Sequence, residues 1–366
     1  MERGTIDVAK FLKQKGHTPI VVSAGGKLCY ILQKENIEHI TLPVDRKSPI
    51  ALWVNNFRLR RVIKKHKVDV VHARSRAPAW SAYWACKATK VPFLTTFHGT
   101  YNFSNALKRY YNAVMTYGWE VIAPSKFIKK HIRQNYLDDV KKVTVIPRGV
   151  HMEVFNPELV STARLKRISN QFQIPLDKKI ILLPGRITRW KGHHVLLEAL
   201  SLLKERDDYC CVFLGAVNQK NQGYYDELLA FIEKHQLFNK VKILEENDDM
   251  PSFYKMAHVV ISASTDPEAF GRVMSEAGAL GTPVIASNHG GAQEIIAHGE
   301  TGWLFPPEDA EKLAEHLKDV LSLSPTRYKS MGKKAMARIQ QYFTNDQMMA
   351  KTLLVYRSVC KKKGNT

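Results

Sequence analysis

The sequence predicts an α/β protein made of two doubly wound domains, and three observations support this. Short apolar runs recur along all 366 residues with amphipathic stretches between them, 45% of residues are hydrophobic, and a turn-rich segment at 147–157 divides the series in two. Nearly continuous apolar runs alternating with helix-like stretches indicate parallel strands covered by helices on both faces. The chain is long enough to fill two such cores.

Taken in order, the first-half runs fall at 18–22, 68–72, 92–95, 120–123 and 143–146. Pro147-Arg148-Gly149 then opens a linker that ends near Pro157, so the first domain is expected to span 1–157. The second half repeats the habit at 180–183, 211–214, 241–244, 259–263 and 283–286, giving a domain over 158–341, with residues 342–366 left as a terminal helix. In doubly wound sheets ligands bind beyond the carboxyl ends of the strands, so the crevice there is expected to hold the ligand.

Charge is segregated along the chain. The net +21 divides into +17 for residues 1–157, −5 for 158–326 and +9 for 327–366. A field of that kind attracts anionic membranes, anionic glycolipids or nucleic acid. No nucleic-acid-binding motif is present, and the basic residues are spread through a domain, so nucleic acid is not expected as a partner. No run approaches the ~20 apolar residues of a membrane span, and residues 1–5 lack a signal peptide's apolar stretch, so the expected location is cytoplasmic. Five cysteines without a C-x-x-C pair read as packing residues in a reducing compartment.

The most informative segment is Glu268-Ala269-Phe270-Gly271-Arg272-Val273-Met274-Ser275-Glu276, in which eight positions separate two carboxylates. It follows an apolar run and leads into a helix-like stretch, placing Glu268 in a loop and Glu276 more than a turn into the helix. Both then face one pocket. Gly271 lets a ligand approach the backbone, and the free N–H groups at the helix start suit a phosphate. Carboxylates beside an anion site accept hydrogen bonds from neutral hydroxyls, which points to a nucleotide sugar. Taken alone, the same spacing also fits a loop carboxylate and a solvated helix-surface one.

This segment resembles the E-x7-E signature of the retaining GT-B glycosyltransferases of family 4 (group 1), which include lipopolysaccharide, capsular glycan and phosphatidylinositol sugar transferases. Three further segments match in family order: 183–192, running Leu-Pro-Gly-Arg-Ile-Thr-Arg-Trp-Lys-Gly; 95–100, Thr-Thr-Phe-His-Gly-Thr; and Pro147-Arg148-Gly149-Val150 with Phe155 and Pro157. The resemblance covers essentially the whole chain. It implies that Arg186 and Lys191 hold the donor diphosphate, that Glu268 binds donor-sugar hydroxyls and Glu276 the ribose, and that backbone N–H groups from Phe270 through Gly271 and Arg272 to Val273 bind phosphates. It also implies that His98 polarises the donor sugar, that the last helix crosses back onto the first domain, and that transfer retains configuration with no glutamate acting as nucleophile.

Cations must meet the charge growing on the β-phosphate. Arg186 suits this with its planar fork and Lys191 with a point charge, whereas Arg189 reads as a solvated neighbour. Other glycosyltransferases use a divalent metal on Asp-x-Asp, a motif absent here; the adjacent pairs Asp138-Asp139, Asp207-Asp208 and Asp248-Asp249 read as solvated. The expectation is therefore a metal-independent transferase with no cofactor beyond its donor, a UDP- or GDP-sugar. The expected acceptor is lipid-linked or of the lipopolysaccharide or surface-glycan type, reached at the inner face of the cytoplasmic membrane. The alternatives are a soluble acceptor, or an impaired GT-B protein serving as a basic membrane or nucleic-acid binder.

Arg148 and Arg272 depart from the family pattern and are expected to touch an anionic donor or acceptor. Two segments are candidates for membrane contact: Ile50 to Lys65, an amphipathic helix with Trp53 and Phe57 whose apolar stripe otherwise packs on the sheet, and Asn105 to Tyr111. Asp7 to Leu12 resembles the family's first helix, which normally follows a β-strand and a Gly-rich loop. Only Met1-Glu2-Arg3-Gly4 precedes the segment Thr5 to Leu12 that holds it here, so the first domain is expected to lack its first strand, through a late-assigned start or a truncated gene.

Overall fold

The computed structural model describes residues 2–101, 103–136 and 142–364. It divides into two compact units, residues 1–147 with 346–366, and residues 148–345. Every strand pairing among the described residues is parallel. The boundary falls ten residues before the one expected at 157, because Val150 and Phe155 belong to the second unit's core. There the Val150 amide donates to Phe343 O at 2.8 Å and the Asn345 amide to Val150 O at 2.8 Å, which ties the segment entering the unit to the one leaving it.

The first unit contains β1 (Ile20–Ser23) paired with β2 (Glu38–Thr41), and a second sheet in the order β3 (Val71–Ala73), β4 (Phe93–Thr96), β5 (Glu120–Ala123), β6 (Val143–Val145). β2 was not evident from sequence. It is an edge strand of four residues, Glu38-His39-Ile40-Thr41, and has no apolar run to reveal it. β4 and β5 are buried throughout, whereas β1 is half-buried at every position despite its Ile-Val-Val sequence. Among the described residues β1 and β3 each have one edge without a strand partner. The Glu2–Gln14 helix spans both sheets, packing Ile6 and Ala9 with Leu32 and Ile37, and Val8 with Leu94 and Ile122. The Asn345–Gly364 helix completes this core with Met349, Tyr356 and Val359. His72 pins it, pairing Nδ1 with the Tyr356 hydroxyl at 2.6 Å and Nε2 with Thr96 Oγ1 at 2.7 Å.

The second unit has one sheet in the order β12-β11-β10-β7-β8-β9, formed by β7 (Lys179–Pro184), β8 (Tyr209–Leu214), β9 (Val241–Leu244), β10 (Val259–Ser262), β11 (Val284–Ser287) and β12 (Gly302–Phe305). The chain steps outward from β7 to β9, then returns to β10 on the other side of β7. The strand order therefore reverses between β7 and β10, and in open α/β sheets the ligand crevice lies at that point. Along β7, Ile181 and Leu183 join a core with Val195, Leu196 and Phe213, while Ile180 and Leu182 join another with Val212, Phe270 and Met274. Burying each such side chain fully contributes roughly 1.5–3 kcal/mol, so both faces of the sheet are firmly covered. β12 escaped the sequence reading because it is an edge strand that begins at a glycine. No helix among the described residues is long and apolar enough to cross a membrane.

Candidate active site

After β7 the chain turns through Gly185-Arg186-Ile187-Thr188 into a single 3-10 turn, Arg189–Lys191. The Gly185 amide donates to Leu214 O at 2.9 Å and the Ile187 amide to Ala216 O at 3.1 Å, so the turn is fixed to the segment after β8. Arg189 pairs with Glu227 at 2.7 Å on the exposed surface. Arg186 is exposed and its side chain makes no hydrogen bond or ion pair among the described residues, leaving its guanidinium available to a ligand. Lys191 crosses back over Gly185 and reaches the loop after β10.

That loop carries Glu268. Its Oε1 accepts from Lys191 Nζ at 2.6 Å and from Ser264 Oγ at 2.7 Å, and both members of the Lys191–Glu268 pair are 15% exposed. Oε2 accepts nothing among the described residues, so it is available to a hydroxyl donor. The backbone beneath is held by Gly291, whose amide donates to Glu268 O at 2.8 Å. A Cβ at Gly291 would stand 2.2 Å from Phe270 O, so any side chain there would push this loop aside.

Gly271 caps the Arg272–Ala279 helix at φ 99°, a backbone conformation that L side chains rarely adopt. Beyond it the amides of Arg272 and Val273 have no backbone acceptor among the described residues, the condition in which a helix start binds an anion. The Phe270 side chain instead points into the core, with its ring 5.7 Å from that of Phe343, so only its backbone remains for a ligand.

Glu276 lies in the second turn of the same helix and is 7% exposed. Its Oε1 accepts from Arg272 at 2.7 Å and its Oε2 from the Tyr254 hydroxyl at 3.0 Å. Burial, and then the Glu276 charge, raises the Tyr254 phenol well above its ordinary value, which keeps it a donor. Arg272, expected to reach a ligand, is thus engaged with Glu276. Tyr254→Phe, which keeps the ring and removes this hydrogen bond to a charged group, is expected to cost about 1.5–3 kcal/mol of stability. It should also raise the donor KM several-fold with a smaller change in kcat, measured by thermal melting and initial rates.

Five of the residues singled out from sequence, Arg186, Lys191, Glu268, Gly271 and Glu276, therefore belong to two neighbouring loops and one helix of the second unit. Ser264, Tyr254 and the Gly290–Gly291 turn complete their support. Of these, Ser264, four residues before Glu268, was legible in principle as a polar residue just past a strand, whereas Tyr254 is a long-range partner with no local signal. His98 lies in the first unit after β4, where its amide donates to the Tyr101 hydroxyl at 3.1 Å. Of the acidic pairs, Asp207 faces Lys240 at 2.9 Å, Asp208 faces Arg206 at 2.8 Å, and Asp249 faces Arg164 at 2.5 Å. Asp138 and Asp139 lie outside the described residues.

Two parallel doubly wound units, the second with cations, helix-start amides and carboxylates gathered where its strand order reverses, define a GT-B glycosyltransferase. The model of Glycosyl transferases group 1 matches residues 166–338, and that of Glycosyltransferase Family 4 matches residues 1–154. A crystal structure of a glycosyltransferase from Rickettsia africae ESF-5 is 41% identical, with a TM-score of 0.92 over 98% of this chain and 95% of that one. The Anabaena protein Alr3699/HepE, solved in complex with UDP, shares the fold at 22% identity and a TM-score of 0.85, over 96% of this chain and 94% of that one. The D-inositol 3-phosphate glycosyltransferase of Xylanimonas cellulosilytica is 27% identical over 81% of this chain and 73% of its own. The chain belongs to the group 1, family 4 glycosyltransferases.

Proposed function

We propose that the protein moves a sugar from a UDP- or GDP-sugar onto a lipid-linked or lipopolysaccharide-type acceptor, with retention of configuration and without a metal ion. The observation that carries this reading is the convergence of Arg186, Lys191, Glu268 and the Arg272–Ala279 helix start at the carboxyl ends of β7 and β10. As the anomeric C–O bond breaks, negative charge grows on the β-phosphate. Arg186, Lys191 and the amides of Arg272 and Val273 meet it, and groups that bind the transition state more tightly than the donor lower the barrier. Glu268 Oε2 takes a donor-sugar hydroxyl and Glu276 the ribose. The acceptor oxygen forms its bond on the face the phosphate leaves, and its proton passes to a phosphate oxygen; no glutamate forms a covalent intermediate. His98 is assigned the polarising of the donor sugar on the family resemblance alone.

Because side-chain cations and backbone amides meet the phosphate, activity is expected to persist in excess EDTA, assayed as nucleoside diphosphate release. Loss of activity restored by Mg²⁺ or Mn²⁺ would contradict the mechanism. Retention is tested by the anomeric coupling constant of the product, which should match that of the donor.

The strongly basic first unit supports a peripheral position at the inner face of the cytoplasmic membrane, with this unit presenting the acceptor. A soluble, phosphate-bearing acceptor is the second reading, favoured by the acceptor in the name of the Xylanimonas relative. Transfer to inositol phosphate in lipid-free buffer distinguishes the two.

A further inference from the structure

We propose that the face built by the helices Pro49–Lys65, Arg76–Thr89 and Ala106–Ala113 is a docking surface for a bilayer with anionic headgroups; this deepens the peripheral-membrane reading and depends on it. Along Pro49–Lys65 the buried stripe is Leu52, Asn55, Asn56, Leu59 and Ile63. The opposite stripe carries Ile50, Trp53 and Phe57, which are 77%, 60% and 41% exposed. The apolar residues that drew attention in the sequence therefore point away from the sheet.

The aromatic surface continues beyond one helix. Trp53 stacks edge-on against Phe57 with centroids 4.6 Å apart, and Arg60 lies 4.9 Å over the Phe57 ring. Trp53 and Trp84 line an open groove of about 400 Å³, together with Asn56, Arg60, Lys87 and Ala88. Half-buried Trp84 is 5.6 Å from Trp80, a core residue 5% exposed that lies beneath the surface and 5.1 Å from Tyr110; Tyr110 and nearby Leu107 are 61% and 76% exposed. An extended exposed apolar face on a soluble domain marks an interaction site.

Charge selects the partner. Residues 46–118 carry fourteen Lys and Arg against a single acidic residue, Asp69. Exposed Arg61, Lys64 and Lys65 continue the Trp53–Phe57 stripe, and Lys87 and Lys108 flank it on the other two helices. Tryptophan rings at the level of the headgroups with basic side chains around them match the chemistry of an anionic lipid interface.

The test is co-sedimentation of the full chain with vesicles of equal parts phosphatidylglycerol and phosphatidylcholine, beside pure phosphatidylcholine. The protein is expected to bind the anionic vesicles, weakly when salt is high, and the neutral ones poorly. Trp53→Ser with Phe57→Ser should weaken partitioning at least ~10-fold, since binding scales with the apolar area inserted. Arg60→Glu with Lys87→Glu should weaken it on the order of fivefold or more for each charge removed. Both pairs are surface changes, and unchanged thermal melting confirms folding. Wild-type protein that stays in the supernatant, or variants that bind as it does, would overturn the proposal. So would a concentration-dependent dimer that Trp53→Ser abolishes in protein that ignores vesicles, since the face would then belong to a second copy. Donor hydrolysis without lipid is expected to be equal in wild type and the aromatic variant. That assay reports on the catalytic reading alone, so the two readings fail separately.

Discussion

Replacing Arg186 with alanine is expected to lower transfer at least ~100-fold, the scale found when one preorganised donor to a developing oxyanion is removed. The reason lies in how the second unit uses its charges. Lys191 is paired with Glu268 at 2.6 Å, Arg189 with Glu227 and Arg272 with Glu276, each at 2.7 Å, whereas Arg186 has no partner among the described residues. Its charge is uncommitted at the end of β7, where its fork can bind two phosphate oxygens. The loss should fall on kcat and kcat/KM together, because the interaction strengthens as the phosphate charge grows. Folding should be unaffected, since the side chain is exposed and its Ala replacement leaves nothing unpaired. Arg186→Lys should recover part of the rate, because it restores charge without the bidentate geometry. Near-normal turnover by Arg186→Ala would remove this residue from the site.

Glu268→Gln is expected to reduce transfer by a similar ~100-fold or more, for a different reason. The carboxylate balances Lys191 and also presents Oε2 as an acceptor. A glutamine of the same shape keeps one oxygen for Ser264 and Lys191 but offers an NH2 group where a sugar hydroxyl must donate, and it leaves Lys191 without a counter-charge. A partly buried cation stripped of its partner costs stability as well, so a modest fall in Tm should accompany the loss of rate. Glu268→Asp retains the charge but withdraws it by one methylene, and should fall between the two. A Glu268→Gln enzyme with wild-type kcat/KM would show that the carboxylate does not meet the donor.

Much of this architecture was legible because buried parallel strands read as apolar runs. All five runs in each half correspond to observed strands, shifted by at most three residues at an end. The two strands that were missed, β2 and β12, are edge strands: Glu-His-Ile-Thr has no apolar run, and Gly-Trp-Leu-Phe begins at a glycine. The site was legible where chemistry is local: Gly271 at a positive φ, Glu276 one helical turn past Arg272, and Arg186 just past a strand all follow from sequence order. Contacts made across the fold left no such trace. Tyr254 reaches Glu276 from a separate helix, and Lys191 reaches Glu268 from a loop 77 residues away. Trp53 and Phe57 illustrate the converse limit. An amphipathic pattern gives a helix two faces but does not say which one packs, and here the buried stripe includes Asn55 and Asn56 while the aromatics remain outside.

The central claim, that the second unit is the donor site of a glycosyl transferase, is tested most directly by following nucleoside diphosphate release from a panel of UDP- and GDP-sugars in the purified protein. One donor is predicted to be cleaved slowly without acceptor and to raise the melting temperature, with release lost in both Arg186→Ala and Glu268→Gln. A protein that neither cleaves nor is stabilised by any donor in the panel, or two variants that release the nucleotide at the wild-type rate, would contradict the account.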